Sequence, residues 1–272
     1  LFHRTGSCSH SAAQQWQSRI PEKRNLGYGK WKVAATDFSA LVIRHARPNE
    51  RVFFVKEQAK LMHEVLLMRF MSQSRASINT ARFKADKSVP DMPEDFIDHP
   101  ELPLTHYQKV ALVNSLENSH YSLFMEQGTG KTAVAINRIS IEGTRKREAG
   151  DGMYRALILC PKALRMNWEN EFVRFATTAG KVTILRGGQV ARVRNLVDGV
   201  RDEPDCNWSA TVCSVDSVGN SWNAIKKVPW DVVVLDESHS IKNPNTKRFK
   251  TLRQLNDASA KMILTGTPIT NH

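Results

Sequence analysis

At 272 residues, 41% of them hydrophobic, the chain can hold one large domain or two modest ones around a sizeable core. Its apolar runs are too short to span a bilayer, and Leu1 is not followed by a charged-then-apolar export signal, so the amino end reads as a processed, tagged or truncated start. A net charge of +12, from 39 Lys+Arg against 27 Asp+Glu, favours polyanionic partners, nucleic acid first among them, although solubility alone would also use such a surplus.

The surplus is spread evenly: residues 1–100 carry 16 basic and 10 acidic side chains, residues 101–272 carry 23 and 17. Cys8, Cys160, Cys206 and Cys213 lack paired metal-ligand spacing, and Cys8 with His10 is too small a set for zinc. Cys160 and Cys213 lie in apolar strand-like runs and read as buried thiols, which fits a reducing intracellular compartment.

Residues 1–26 are polar and irregular and read as a disordered arm. Trp31–Val33 and Val52–Val55 are strand-like, and residues 57–72 place Leu61, Val65, Met68 and Phe70–Met71 at helical spacing, a stripe that reads as core. Pro90, Pro93, Pro100 and Pro103 then interrupt an acidic stretch that reads as a linker. The expected division is an arm at 1–26, an accessory α+β region with linker at 27–98, and a nucleotide-binding lobe at 99–272.

From there strands and helices alternate. Strands are expected at Ser122–Met125, Ala156–Cys160, Val182–Leu185, Thr211–Ser214, Val232–Leu235 and Met262–Leu264. Helices are expected at Tyr107–Leu116, Thr132–Ile141, Arg165–Ala176, Gln189–Val197, Ser217–Ala224 and Lys247–Leu255. Such alternation predicts an α/β fold, a mostly parallel sheet covered on both faces. No internal repeat is evident.

Three strings leave the carboxyl ends of these strands, where open α/β sheets bind ligands. Gly128-Thr129-Gly130-Lys131-Thr132 is a phosphate-binding loop of Walker A type. Its glycines let the backbone approach phosphate oxygens, and the following helix start directs amides at an anion. Lys131 would contact the β/γ-phosphates of ATP, and Thr132 would ligate Mg²⁺. The general pattern asks for Gly where Met125 stands. The second string is Asp236-Glu237-Ser238-His239, after Val232–Leu235. An acidic pair after a strand can be a plain helix cap. Downstream of a phosphate loop, Asp236 would hold Mg²⁺ through water, and Glu237 would orient and deprotonate an attacking water. The third string is Thr265-Gly266-Thr267-Pro268, after Met262–Leu264.

Taken together, the strings resemble the first RecA-like motor lobe of superfamily-two helicases, and among them the Swi/Snf-type DNA translocases. Leu159–Leu164 with Asn167-Trp168 and Glu171-Phe172 is similar to the family's second motif. The DEAH-like box Asp236–His239 continues into Ile241–Pro244 as the family's does, and Leu264–Ile269 with Asn271 resembles its third motif. DEAD-box RNA helicases carry Ser-Ala-Thr at that point instead. The resemblance covers about residues 102–272.

The resemblance implies a duplex-DNA-dependent ATPase using ATP and Mg²⁺, with a second RecA-like lobe beyond this chain that supplies an arginine pair. The chain alone is then expected to turn over ATP poorly, a missing arginine finger costing ~10³–10⁵ in rate. It implies that Gln108 reads adenine, that Thr265, Gly266, Thr267 and His239 couple nucleotide state to DNA grip, and that Pro161, Lys162, Ser214 and Ser217 meet the DNA backbone. Departures at Met125, Gln127 and Ser238 bear on the subfamily more than on ATP binding. Alternatives are the motor lobe of a restriction or phage-replication helicase, or a module that binds nucleotide or DNA without turnover. The setting is a prokaryotic or phage-infected cytoplasm, or a nucleus. Arg145-Lys146-Arg147 and Lys247-Arg248 with Lys250 form basic clusters that read as solvated faces or phosphate contacts.

Overall fold

A computed structural model describes residues 2–3, 24–25, 31–32, 53–54, 56–237, 246, 251–252 and 258–266. The chain divides into two compact units, Leu1–Ser74 and Arg75–His272. In the first, β1 (Phe2–His3) pairs antiparallel with β4 (Phe53–Phe54), and β2 (Arg24–Asn25) with β3 (Trp31–Lys32). Two of these strands fall inside the stretch expected to be an irregular arm.

Helix α1 (Lys56–Asp86) runs well past the expected end at residue 72. No proline or glycine occurs between the two points, and Ala, Arg and Lys are good helix formers, so nothing stops propagation until the approach to Pro90. The expected domain border near residue 98 is therefore displaced. Asn79 donates to Asn114 Oδ1 at 3.0 Å, Asn114 donates to Ala76 O at 3.3 Å, and Arg75 pairs with Glu117, which docks the end of α1 on α2 (His106–Glu117). The proline-rich segment is not a free linker either. Met92 and Phe96 pack against the core, Asp98 meets Lys109 at 2.6 Å, and Asp95 takes a two-pronged bond from Arg145.

The second unit is built on six parallel strands: β5 (His120–Phe124), β6 (Tyr154–Cys160), β7 (Gly180–Ile184), β8 (Trp208–Ser214), β9 (Val232–Asp236) and β10 (Ala260–Thr265). Their order across the sheet is β5-β10-β9-β6-β8-β7. β6, β8, β9 and β10 each contain the run predicted from sequence, extended by one to three residues, while β5 and β7 begin two residues before the predicted runs and end one residue short of Met125 and Leu185. Helices α2, α3 (Lys131–Glu148) and α4 (Arg165–Phe175) cover one face; α5 (Gln189–Val200) and the short α6 (Trp222–Ile225) cover the other. The predicted helix at Ser217–Ala224 forms as a 3₁₀ turn, Val218–Ser221, leading into α6, and the one at Lys247–Leu255 falls mostly outside the described residues.

Alternation along the strands sorts side chains between the faces. Ile158, Val234, Met262 and Leu264 join Val134, Ile136 and Trp168 on one side, while Leu157, Leu159, Val233 and Cys213 join Leu196 and Ile225 on the other. Burial on both faces explains why β6 and β9 read as continuous apolar runs. Cys160 and Cys213 are buried and free, as expected, and burial pushes the Cys160 thiol up to about 12. Among the described residues no helix is long and apolar enough to cross a membrane.

Candidate nucleotide site

Strand order brings the three strings together. β10 lies between β5 and β9, with Thr265 opposite Phe124 and Leu264 opposite Asp236. The phosphate loop, the acidic strand end and the loop after β10 therefore emerge side by side from one sheet edge, although they are far apart in the chain.

The loop turns on Gly128 and Gly130, both at φ +80°, a conformation that strains any side chain. Met125 keeps a negative φ, so the glycine missing there is not needed for the turn. Gly130 caps α3 with no side-chain bond, and the first turn of the helix has no acidic residue. Its amides and dipole thus remain available to an anion. Lys131 is nearly buried and donates to Met125 O at 3.0 Å and Glu126 O at 2.8 Å, which folds its ammonium back over the loop it serves. Thr129 closes the turn onto Glu126 O at 2.6 Å. Thr132 follows on the first turn of α3 and is half-buried.

Gln108 reaches the same loop. Its Oε1 accepts the Thr105 N–H at 2.8 Å in a capping box, and its Nε2 donates to Thr129 O at 2.9 Å. A Cβ on Gly130 would lie 2.2 Å from that nitrogen, so glycine lets the carboxamide rest against the loop. Gln108 thus touches the loop through one hydrogen and keeps another donor position and lone pair for a ligand. At Gly266 a Cβ would lie 3.3 Å from Gln127 N and 3.7 Å from Lys131 Nζ, so the loop after β10 borders the phosphate loop directly.

Asp236 is 8% exposed. Its Oδ2 accepts the Trp168 indole N–H at 2.9 Å and its Oδ1 accepts the Glu237 N–H at 2.9 Å. Burial raises its pKa and the Glu237 charge adds to this; the indole bond, the Glu237 amide and the Lys131 ammonium oppose it. Keeping this carboxylate ionised costs free energy that a bound divalent cation would offset. Glu237 adopts φ +52°, uncommon for a side chain of its size and the kind of strain that collects at working sites.

The donor set suits Mg²⁺. A threonine hydroxyl and two acids are hard oxygen ligands, and among the described residues no cluster of three His, Cys, Asp or Glu forms an all-protein cage. Mg²⁺ is held in just this way, by one or two protein oxygens with substrate phosphates and water.

Away from this edge the expected contacts fare differently. Lys162 is exposed on a 3₁₀ turn, Lys162–Leu164, that follows Pro161. Ser214 is 1% exposed and its hydroxyl accepts the Asp216 N–H at 3.2 Å, closing the turn that follows β8. The Ser217 hydroxyl likewise accepts from Arg192 at 3.0 Å, and the exposed residues of this turn are Asp216, Gly219 and Asn220. Arg192, which sequence reasoning passed over, is 4% exposed and also donates to Ser221 Oγ, Cys213 Sγ and Ser217 O. A cation at the spacing of the apolar residues Leu196 and Gly199 was the signal for it.

The cluster Arg145-Lys146-Arg147 is a brace. Arg145 grips Asp95, Lys146 grips Asp231 at 2.7 and 2.8 Å, and Arg147 binds Asp202 and the carbonyls of Glu203 and Cys206. His239, Thr267, Ser238, Asn271, residues 241–244 and the basic residues 247, 248 and 250 lie outside the described residues.

Comparison with known proteins fits this arrangement. Residues 55–272 match the SNF2-related domain family. The chain belongs to that family. Helicase SWR1 of Saccharomyces cerevisiae is 30% identical over 210 residues, covering 74% of this chain and 13% of that protein. The TATA-binding protein-associated factor MOT1 of the same yeast is 32% identical over 160 residues, 56% of this chain and 8% of its own length. The human SWI/SNF-related matrix-associated actin-dependent regulator of chromatin subfamily A member 1 is 29% identical over 174 residues, 62% of this chain and 16% of that one. The chain thus spans less than a fifth of each of these SNF2-family relatives. Among solved structures, the Sulfolobus solfataricus SWI2/SNF2 ATPase core in complex with dsDNA superposes with a TM-score of 0.52 at 21% identity, over 66% of this chain and 35% of that one. That likeness gives the fold, an α/β RecA-like lobe.

Proposed function

We propose that residues 75–272 are the first, ATP-binding lobe of an SNF2-type motor that couples ATP hydrolysis to movement along, or remodelling of, duplex DNA. The observation that carries this reading is the convergence of Lys131, Asp236 and the loop at Gly266 on one sheet edge, with a helix amino terminus that has no side-chain cap opening directly from the phosphate loop. The family relationship supports it, as do the relatives described as helicases and the one described as a regulator of chromatin.

In this site Gly128–Thr132 holds the phosphates of ATP, and Lys131 leaves its loop carbonyls to pair with them. Mg²⁺, when bound, neutralises charge on the phosphates and orients them. Thr132 and Asp236 would hold it, Asp236 through water. Glu237 orients the attacking water and takes its proton. Gln108 reads the adenine edge. The loop after β10, with Thr265, Gly266 and Thr267, reports phosphate occupancy, and His239 relays it. Pro161 and Lys162 carry the DNA contact, the lysine as a sequence-independent phosphate partner. A second RecA-like lobe completes the site, and the setting is wherever the cell keeps its DNA.

The test is steady-state ATP hydrolysis by the complete protein with duplex DNA, single-stranded DNA and RNA in turn, and Lys131→Ala as control. Duplex stimulation lost in the control is the expected result. Stimulation by RNA or single strands alone assigns the protein to another helicase branch. No turnover with any of them makes the lobe a binding module.

A further inference from the structure

We propose that Trp168 is a positioning residue for the Asp236 carboxylate, and that through it the orientation of this acid is tied to the exposed turn at Lys162. The inference rests on the ATP·Mg²⁺ reading of the site.

Three observations carry it. The first is the bond itself. Trp168 is 1% exposed, and its one polar atom donates to Asp236 Oδ2 at 2.9 Å. With the Glu237 amide on Oδ1, each carboxylate oxygen receives one donor from the protein. Two donors on opposite oxygens set the plane of the group and leave its remaining lone pairs for the ion or its water shell. In a buried setting such a bond to a charged acceptor is strong, and losing it leaves the oxygen without a partner.

The second is that the indole is itself held. Phe172, one helical turn on, lies 6.0 Å from the Trp168 ring, tilted at 43°, and stacks on Trp208 at 4.8 Å and 29°. The Trp208 N–H is anchored on Thr178, with both the carbonyl and the hydroxyl at 3.2 Å. A ring packed this way has no freedom to leave the carboxylate unless α4 moves.

The third is what α4 is attached to. It begins at Arg165, directly after the 3₁₀ turn Lys162–Leu164, with no loop between. Arg165 donates back to Lys162 O at 3.2 Å and across to Leu185 O at 3.2 Å. Turn and helix thus form one continuous piece, with an exposed lysine at its start and the indole within its second turn. A displacement of the turn by a polyanion on Lys162 would reach Asp236 as a change in the angle of a hydrogen bond.

The experiment uses the complete protein, Mn²⁺ as the metal probe and a non-hydrolysable ATP analogue, with free Mn²⁺ read by electron paramagnetic resonance. Trp168→Phe keeps the ring and removes the donor. It is expected to weaken Mn²⁺ binding in the presence of nucleotide about 10- to 100-fold, the range for partners behind a metal ligand, with nucleotide binding in EDTA unchanged. Phe172→Leu removes packing from the same ring but keeps the N–H, and is expected to lower the melting temperature while weakening Mn²⁺ binding much less than Trp168→Phe does. An unchanged Mn²⁺ affinity in Trp168→Phe, or equal metal losses in both variants in step with melting temperature, overturns the proposal. A second measurement does not depend on the variants folding. In wild-type protein labelled with ¹⁵N-tryptophan, adding Mg²⁺ to the nucleotide complex should shift the Trp168 indole resonance and spare that of Trp208; an unmoved Trp168 signal also overturns it. If wild type fails to take up Mn²⁺ with nucleotide, or Lys131→Ala takes it up equally well, the nucleotide reading itself falls and the positioning role with it.

Discussion

Helix α3 carries basic residues at both ends, and the two ends do opposite things. At the carboxyl end Arg145, Lys146 and Arg147 all have carboxylate partners, contributed by segments near residues 95, 202 and 231. They lie where the helix dipole favours cations, and their charge is spent inside the unit. At the amino end Lys131, among the described residues, donates its hydrogen bonds to the carbonyls of its own loop, and no acid stands in the first turn. Charge density in the sequence is greater at the carboxyl end; charge available to an anion is greater at the amino end. What separates them is partnership, which depends on segments that meet only in the fold.

Four substitutions test that contrast. The largest effect is expected from Lys131→Ala, which removes the cation aimed at the phosphates. Hydrolysis by the complete protein should fall about 10²–10³-fold, as for loss of one preorganised charge-stabilising donor, with the melting temperature little changed. A large loss of stability with activity retained would reverse the roles of the two ends.

Next comes Lys146→Ala. Its partner Asp231 is shared with the Arg155 amide at 2.7 Å, and both side chains of the ion pair are less than a quarter exposed, at 22% and 17%. Urea unfolding should show a loss of about 1.5–3 kcal/mol, the range for hydrogen bonds to charged groups, while nucleotide and DNA affinities stay at wild-type values. Weaker DNA binding without a stability loss would restore the cluster as a phosphate contact.

Gly130→Ala sharpens the description of the amino end. At φ +80° a side chain costs about 1–2 kcal/mol, and the new methyl group would displace the Gln108 carboxamide. Unfolding should register that cost, and calorimetry should show weaker nucleotide binding as well.

Asp95→Asn should have the smallest effect, about 0.2–1 kcal/mol, because the pair with Arg145 is partly open to solvent. The Arg145 guanidinium holds the Asp95 carboxyl below the usual aspartate range. A group depressed in the folded state stabilises above its unfolded pKa and loses that contribution as pH falls through the folded value. The difference between wild type and Asp95→Asn should therefore be full at neutral pH and fade below about pH 4. A difference that grows on acidification would contradict the pairing.

The core of the lobe was open to sequence reasoning because its signals are local. Apolar runs such as Val232–Leu235 mark strands buried on both faces, and Gly128-Thr129-Gly130-Lys131 marks a turn that only glycines permit. These need a few neighbouring residues each. The misreadings concern partners. The stretch interrupted by Pro90, Pro93, Pro100 and Pro103 looked like a linker because prolines forbid regular structure, yet Asp95 and Asp98 fasten it to α3 and α2. Arg192 went unassigned, and Trp168 was placed in a motif without its partner Asp236, because a buried polar group is defined by what surrounds it.

The sequence by itself determined the strand–helix alternation, the phosphate loop, the acidic pair and the family, since each is written in consecutive residues. Only the tertiary structure decided which charges remain available. It set β10 between the phosphate loop and Asp236, gave Arg145, Lys146 and Arg147 their acids, and placed the Trp168 indole on the Asp236 carboxylate. Hydrogen bonds and ion pairs act over a few ångströms, and which groups come that close is settled by strand order and helix packing rather than by separation along the chain.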